Sequence, residues 1–432
     1  MGELLLVLIA PVIAAPFWGV CLSLFLDFFL PTFPVYGFPP RNFVVAALLF
    51  PLAAEVLLKR KGFKIDLNSK KIIVVSGLFC AWGVFLSLYH QVRLLAFLGR
   101  VVVPFCLMCT LFFYIDSLQK VKRFLFCLAL TLTVVSIVGV FQFFQADWAW
   151  DLHSALNPVV AEGKATYDVY SRIRIPGLSF FSISFAYSLC AFVPILLALA
   201  FSRNYQYGRS MLFKGIASLA GVVLLLTLSR SAILGLFMGL IWVFAAGRKF
   251  KDKLLATFVV IVFLVGVNFL PMVESRLRAD TEQQRGTVAR IVLGIRVALE
   301  NPLGTGGTSE AFFKSVENNL WTISDYEGAN AAYIESSHNQ FLNTWVYYGL
   351  PGLVMLFYFY YLLSQLLKSV RQNPANMLID RLALGLGASV IAYTVHSLFH
   401  NAGPFVGEVY FWYIVGLILA LNRINVLCLK SA

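Results

Sequence analysis

The chain has 432 residues, of which 60% are hydrophobic and 13% charged, with a mean hydropathy of +0.81. Soluble domains run at roughly 45–50% apolar and about 25% charged, so this composition excludes an ordinary soluble enzyme and predicts an all-α polytopic membrane protein. The formal charge of +13 does not signal a nucleic-acid partner, because the basic residues sort by loop.

A bilayer core of ~30 Å needs about 20 apolar residues per helix. In chain order that ruler predicts about twelve spans, at 4–30, 42–58, 72–89, 94–115, 124–145, 176–201, 215–229, 231–247, 254–270, 341–367, 382–399 and 405–422. Loops on one side collect most of the basic residues, among them Lys59, Arg60, Lys70, Lys120, Arg203, Arg248, Lys368 and Arg423. The positive-inside rule assigns that side to the cytoplasm and puts both termini there. Glu3 and the absence of a basic leader favour a retained first span over a cleaved signal. The chain divides into 1–175 (five spans and a first outer loop), 176–270 (spans six to nine), 271–340 (a large outer loop) and 341–432 (spans ten to twelve). The seven cysteines lie in or beside apolar runs and read as packing.

The polar chemistry gathers on the outer side. Intramembrane acids are few, Asp27, Glu55 and Glu408, and make no midplane ladder of the kind ion-coupled transporters need. Arg172 and Arg174 close the first outer loop, and Arg230 stands in Ser229-Arg230-Ser231 between two spans. An arginine there either snorkels to the interface or holds an anion. The large loop carries Arg285, Arg290 and Arg296 around a helix-like stretch, 287–300, whose Val288, Ile291, Val292, Ile295 and Leu299 form an apolar stripe. This predicts a helix resting on the membrane surface or on the bundle. Several guanidiniums converging on one face suit a phosphate or pyrophosphate ligand, whose oxygens match the planar fork.

His338 follows Ser336 and Ser337, either of which can cap the tenth span. A helix N-terminus disfavours imidazolium, leaving a neutral ring able to act as general base or simply to bond backbone. His396 and His400 share a helix face at a spacing open to metal binding, although pairing with polar groups of the loops explains it better without nearby carboxylates. The Gly304-Thr-Gly-Gly307 turn can present N–H groups to an anion or merely stop a helix, and Asp325, Glu327 and Glu335 read as solvated loop acids.

Leu228-Ser-Arg-Ser-Ala-Ile-Leu-Gly-Leu236, Arg290 followed by Pro302-Leu-Gly-Thr-Gly306, and Ser337-His338-Asn339-Gln-Phe-Leu342 leading to Tyr348-Gly349-Leu-Pro-Gly352 resemble, in order and spacing over about 220–355, the bacterial O-antigen ligases (WaaL) and related Wzy-type polymerases. The Arg174-Ile-Pro-Gly-Leu-Ser segment departs from the Pro-Asn pair of many relatives, which leaves Arg172 and Arg174 as alternatives. The resemblance implies a GT-C-like glycosyltransferase of the bacterial inner membrane. It would transfer a polysaccharide from undecaprenyl pyrophosphate to lipid A–core at the periplasmic face, with inversion and without metal or cofactor. It further implies His338 as the acceptor base and Arg290 with Arg174 or Arg172 as pyrophosphate clamps, with Arg230 as a further diphosphate or structural residue. A polymerase would use the same donor; a transporter or flippase for a lipid-linked glycan, or a scaffold for glycan export, are the readings from other classes.

Overall fold

The computed structural model describes residues 9–30, 39–57, 65–157, 174–200, 207–245, 290–307, 315, 337–400 and 403–431. Every described secondary-structure element is helical. The helices are α1 (Pro16–Phe29), α2 (Pro40–Leu57), α3 (Leu67–Tyr89), α4 (Leu94–Tyr114), α5 (Leu118–Phe143), α6 (Asp147–Leu156), α7 (Ser182–Ala200), α8 (Tyr207–Leu226), α9 (Arg230–Ala245), α10 (290–300), α11 (Gln340–Gln372), α12 (Met377–Ser397) and α13 (Tyr410–Ser431). Seven of the described helices are long and apolar enough to cross a membrane, α3, α4, α5, α7, α11, α12 and α13, and shorter apolar helices lie at Pro16–Phe29, Met211–Leu226 and Arg230–Ala245. The predicted span at 254–270 lies outside the described residues, as do Arg172, Arg285, Val288, Ser336 and the three loop acids.

α7 forms the middle of the bundle, with 83% of its apolar window buried. It packs on α8, α9, α12 and α13, and the most extensive helix contact is between α9 and α12. Glycine makes that contact close. A Cβ on Gly235 would stand 2.3 Å from the Ala392 carbonyl oxygen, and one on Gly239 2.8 Å from that of Ala388. Small residues four apart on both helices let two backbones meet where no hydrophobic effect drives association within lipid.

Two helices are interrupted where proline removes a donor. Pro104 cannot return a hydrogen bond to the preceding turn, and α4 widens into a π-turn over Leu98–Val102 just before it. In α11, Gly349 is non-helical (φ 67°, ψ −170°) and Pro351 has no N–H. The carbonyls freed there find partners elsewhere. Val346 O accepts from Thr305 N at 2.9 Å, Tyr347 O from Gly306 N at 3.1 Å and Tyr348 O from Trp82 Nε1 at 2.8 Å, while Leu350 N donates to Pro302 O at 2.8 Å. The turn after α10 is thereby locked into the break in α11, with Gly304 and Gly349 back to back. A Cβ on Gly349 would lie 2.3 Å from Leu303 C. Gly349→Ala is expected to cost about 2–4 kcal/mol, from backbone overlap and a left-handed φ, and to release this turn. Thermal unfolding of the purified protein measures the loss.

The acid Asp27 is buried and paired. Its carboxylate accepts from Arg41 of α2 and, at 2.7 Å, from the Tyr413 hydroxyl of α13, so three helices share one ion pair. Arg41→Ala should lower stability by about 3 kcal/mol, whereas an apolar pair replacing both Arg41 and Asp27 should cost less, since removing one partner strands a buried charge. Denaturation midpoints of the single and paired variants check this.

α10 turns its predicted apolar stripe away from the bundle. Ile291, Ile295 and Leu299 are exposed, whereas Leu293, Val297 and Ala298 are buried. The expected stripe is the outward edge, because the small residues Gly294 and Ala298 let the neighbouring face approach the bundle more closely.

Candidate active site

The entrance to α11 is built from three polar residues around one strained one. Asn339 is the N-cap: its side-chain oxygen accepts from Phe341 N and Leu342 N at 2.9 and 3.1 Å. This corrects the expected capping by Ser337, whose backbone N–H and hydroxyl donate instead to Asn343 Oδ1 at 2.9 and 2.6 Å. His338, fixed between them, has φ 52°, an unfavourable value for a residue with a Cβ. The turn is held on both sides, so the strain is sustained by its neighbours.

α10 seats itself on this turn. A Cβ on Gly294 would lie 2.7 Å from the Ser337 Cβ, so glycine is what allows the approach. Arg290, one helical turn earlier, reaches His338, its Nη1 hydrogen-bonded to His338 Nε2. A guanidinium only donates, so Nε2 carries the lone pair and Nδ1 the hydrogen. Burial first, and the Arg290 charge second, push the His338 pKa down to about 4. The ring is therefore neutral at physiological pH, as expected, with burial and Arg290 as the causes.

A second imidazole stands nearby. Asn339 Nδ2 donates to Leu398 O at 2.9 Å, tying the His338 turn to the end of α12. His400, just beyond that end, is pushed down to about 3 by burial, by His338 and by Arg174. His396 and His400 do not form a metal pair with each other's help: His396 Nδ1 and His400 Nε2 both meet Ser231 Oγ, at 2.9 and 2.7 Å. Among the described residues no three of His, Cys, Asp and Glu converge as a metal site would require. The Gly304 turn is likewise not an anion cradle, since the N–H groups of Thr305 and Gly306 are engaged by α11.

Arg174 is positioned from beneath. Gln142 of α5 grips Gly177 by both edges, donating to its carbonyl at 2.8 Å and accepting from its N–H at 2.9 Å. His153 bonds Ser179 O at 2.9 Å and Asn157 donates to Leu178 O at 3.0 Å. These bonds hold the segment that starts at Arg174. Arg230 is the exposed first residue of α9, beside Ser231.

The structure thus brings together Arg290, His338, His400 and Arg174, places Arg230 at the adjacent helix end, and does not describe Arg172. Ser231, Gln142, Asn339 and Asn343 were not singled out in the sequence. For Ser231 a signal existed: it precedes Gly235 and Gly239 at four-residue steps, as His396 and His400 follow Ala388 and Ala392.

The described residues define a multi-pass, helical membrane protein whose cationic and neutral-imidazole groups converge where helices end. Residues 215–357, about a third of the chain, match the family described as O-Antigen ligase (Wzy_C). Over that segment the resemblance to O-antigen ligases and Wzy-type proteins is borne out, and with it a glycosyl-transfer enzyme in the broad sense, using a lipid-linked glycan and a lipid acceptor. No curated protein matches the chain.

Proposed function

We propose that the protein is an O-antigen ligase of the bacterial inner membrane, with about twelve spans, cytoplasmic termini and a GT-C-like architecture. It moves a polysaccharide from undecaprenyl pyrophosphate to a hydroxyl of lipid A–core at the periplasmic face. The observation that carries this reading is the contact between Arg290 and the lone pair of His338. A guanidinium and a neutral imidazole side by side supply the two functions that transfer from a glycosyl diphosphate needs, charge stabilisation on the leaving group and a base for the acceptor.

In the resting site Arg290 covers the base. Diphosphate binding draws the guanidinium to the phosphate oxygens and uncovers Nε2. The acceptor O–H then gives its proton to Nε2 as the oxygen attacks the anomeric carbon from the face opposite the diphosphate. The bond from that carbon to the phosphate oxygen breaks, its electron pair leaves with the diphosphate, and configuration inverts. Arg174, Arg172 and Arg230 complete the anion's surroundings, and the chain's own residues supply each of these functions without a metal or cofactor.

The ligase and polymerase readings share donor and site. Incubating the purified protein with undecaprenyl-pyrophosphate-linked repeat units, with and without lipid A–core, separates them by product. Glycan attached to core is expected; lengthening of the lipid-linked glycan alone would make the protein a polymerase. Neither product, with folded protein and intact donor, would favour transport of the lipid-linked glycan.

A further inference from the structure

α3 and α11 run antiparallel and are in contact at Phe79 and Trp82. The Phe79 and Tyr348 rings meet with centroids 4.5 Å apart, Trp82 Nε1 donates to Tyr348 O at 2.8 Å, and a Cβ on Gly352 would stand 3.6 Å from the Phe79 ring. Past this contact a groove of about 540 Å³ opens between the start of α3 and the C-terminal part of α11, a volume within the range of small-molecule sites. His338 precedes the other end of α11, and 33 helical residues extend about 50 Å at 1.5 Å each. The groove therefore lies a membrane's thickness away from the candidate active site, at the end that the basic loops assign to the cytoplasm.

Its charge is one-sided. Lys71 of α3 and Lys368 of α11 face it together with Asn68, Gln365, Ser369 and Gln372, and among the described residues no acid lines it. The acids nearest in sequence are committed elsewhere. Asp66 caps α3, accepting from Asn68 N and Ser69 N at 3.0 Å each, and accepts from Asn422 Nδ2 at 2.7 Å, while Asp380 stands 3.8 Å from Arg371. Two ammonium groups among neutral polar side chains, with no carboxylate between them, suit a phosphate, which lysine binds as a point charge.

Each lysine also heads an exposed apolar stripe. Lys71, Val74 and Leu78 follow at three- and four-residue steps along one face of α3, and Lys368, Gln365, Tyr361, Tyr358 and Val354 do so along one face of α11. Val74, Leu78, Val354, Tyr358 and Tyr361 are all exposed, and the two tyrosine rings stack with centroids 6.3 Å apart. On membrane-spanning helices such faces meet lipid tails, and tyrosine sits at headgroup level. A ligand that answers both the lysines and the stripes has a phosphate at one end and acyl chains at the other.

We propose that this groove binds an anionic phospholipid of the leaflet opposite the candidate active site, with its phosphate between Lys71 and Lys368 and its acyl chains along the two stripes. Such a site is independent of the transfer chemistry and rests on the packing of α3 against α11.

Native mass spectrometry of the full-length protein, released from detergent with phosphatidylglycerol or with phosphatidylcholine of the same acyl chains, tests this. One phosphatidylglycerol is expected to stay bound at concentrations that leave phosphatidylcholine free. Lys71→Gln and Lys368→Gln should each weaken binding about fivefold, the share of one lysine near an anionic lipid surface. Lys122→Gln, which changes an exposed lysine at the start of α5, should leave it unaltered. Equal retention of the two lipids, wild-type affinity in both groove variants, or an equal loss in Lys122→Gln would overturn the proposal. So would displacement of the lipid by inorganic phosphate at equal concentration, which would make the ligand a soluble anion.

Discussion

His338→Ala is expected to lower glycan transfer by about 10²- to 10⁴-fold, the range that a positioned general base contributes, while the protein remains folded. The reason is the lone pair on Nε2, which is fixed by the guanidinium that faces it and which alanine cannot replace. The same residue sets the acid limb of the pH profile. A base works when neutral, and burial with the Arg290 charge takes His338 down to about 4, well below an ordinary histidine near 6.5. In the free enzyme the active form is therefore complete at pH 7, still dominant at pH 5.5, and lost as pH falls through about 4. The acid limb of kcat/KM measures it, and an inflection at 6–7 belonging to His338 would contradict the assigned geometry.

Arg290→Ala should cost about 10²-fold in transfer, comparable to losing one preorganised donor aimed at developing charge. Arg290→Lys should recover only part of this, since an ammonium lacks the planar fork that grips two phosphate oxygens. Removing Arg290 also removes the second cause of the depressed His338 pKa, so the acid limb of the residual activity should move upward while burial keeps it below 6.5. Steady-state rates for the three proteins across pH 4–8 test both effects together.

Much of the site was legible because it lies in short stretches of sequence. His338 beside a capped helix start and Arg290 on the polar edge of a helix were visible as candidates, and the structure joins them. What sequence could not give was distance between elements. Nothing in residues 290–300 alone shows that Gly294 lets α10 settle on Ser337, or that Leu293, Val297 and the small residues Gly294 and Ala298, rather than the stripe of Ile291, Ile295 and Leu299, face the bundle. The same holds for His396 and His400. Their spacing favoured polar partners over metal, but could not name the partner, Ser231, which is 165 and 169 residues away and is brought to them by a glycine-lined helix contact. Ser337 failed as a cap because Asn339, two residues nearer the helix, accepts from its first N–H groups, and the serine is drawn to Asn343. Seven of the predicted spans coincide with described helices long and apolar enough to cross a membrane, which follows from the bilayer acting as a uniform apolar solvent.

The most direct test is a single-turnover transfer assay with purified protein, undecaprenyl-pyrophosphate-linked glycan and lipid A–core in the presence of chelator. It compares wild type, His338→Ala and Arg290→Ala at matched folding. Glycan on core from the wild type, with both variants reduced by at least about 10²-fold, is the predicted result. Transfer by His338→Ala and Arg290→Ala at the wild-type rate would contradict the central claim that these two side chains form the site of glycosyl transfer.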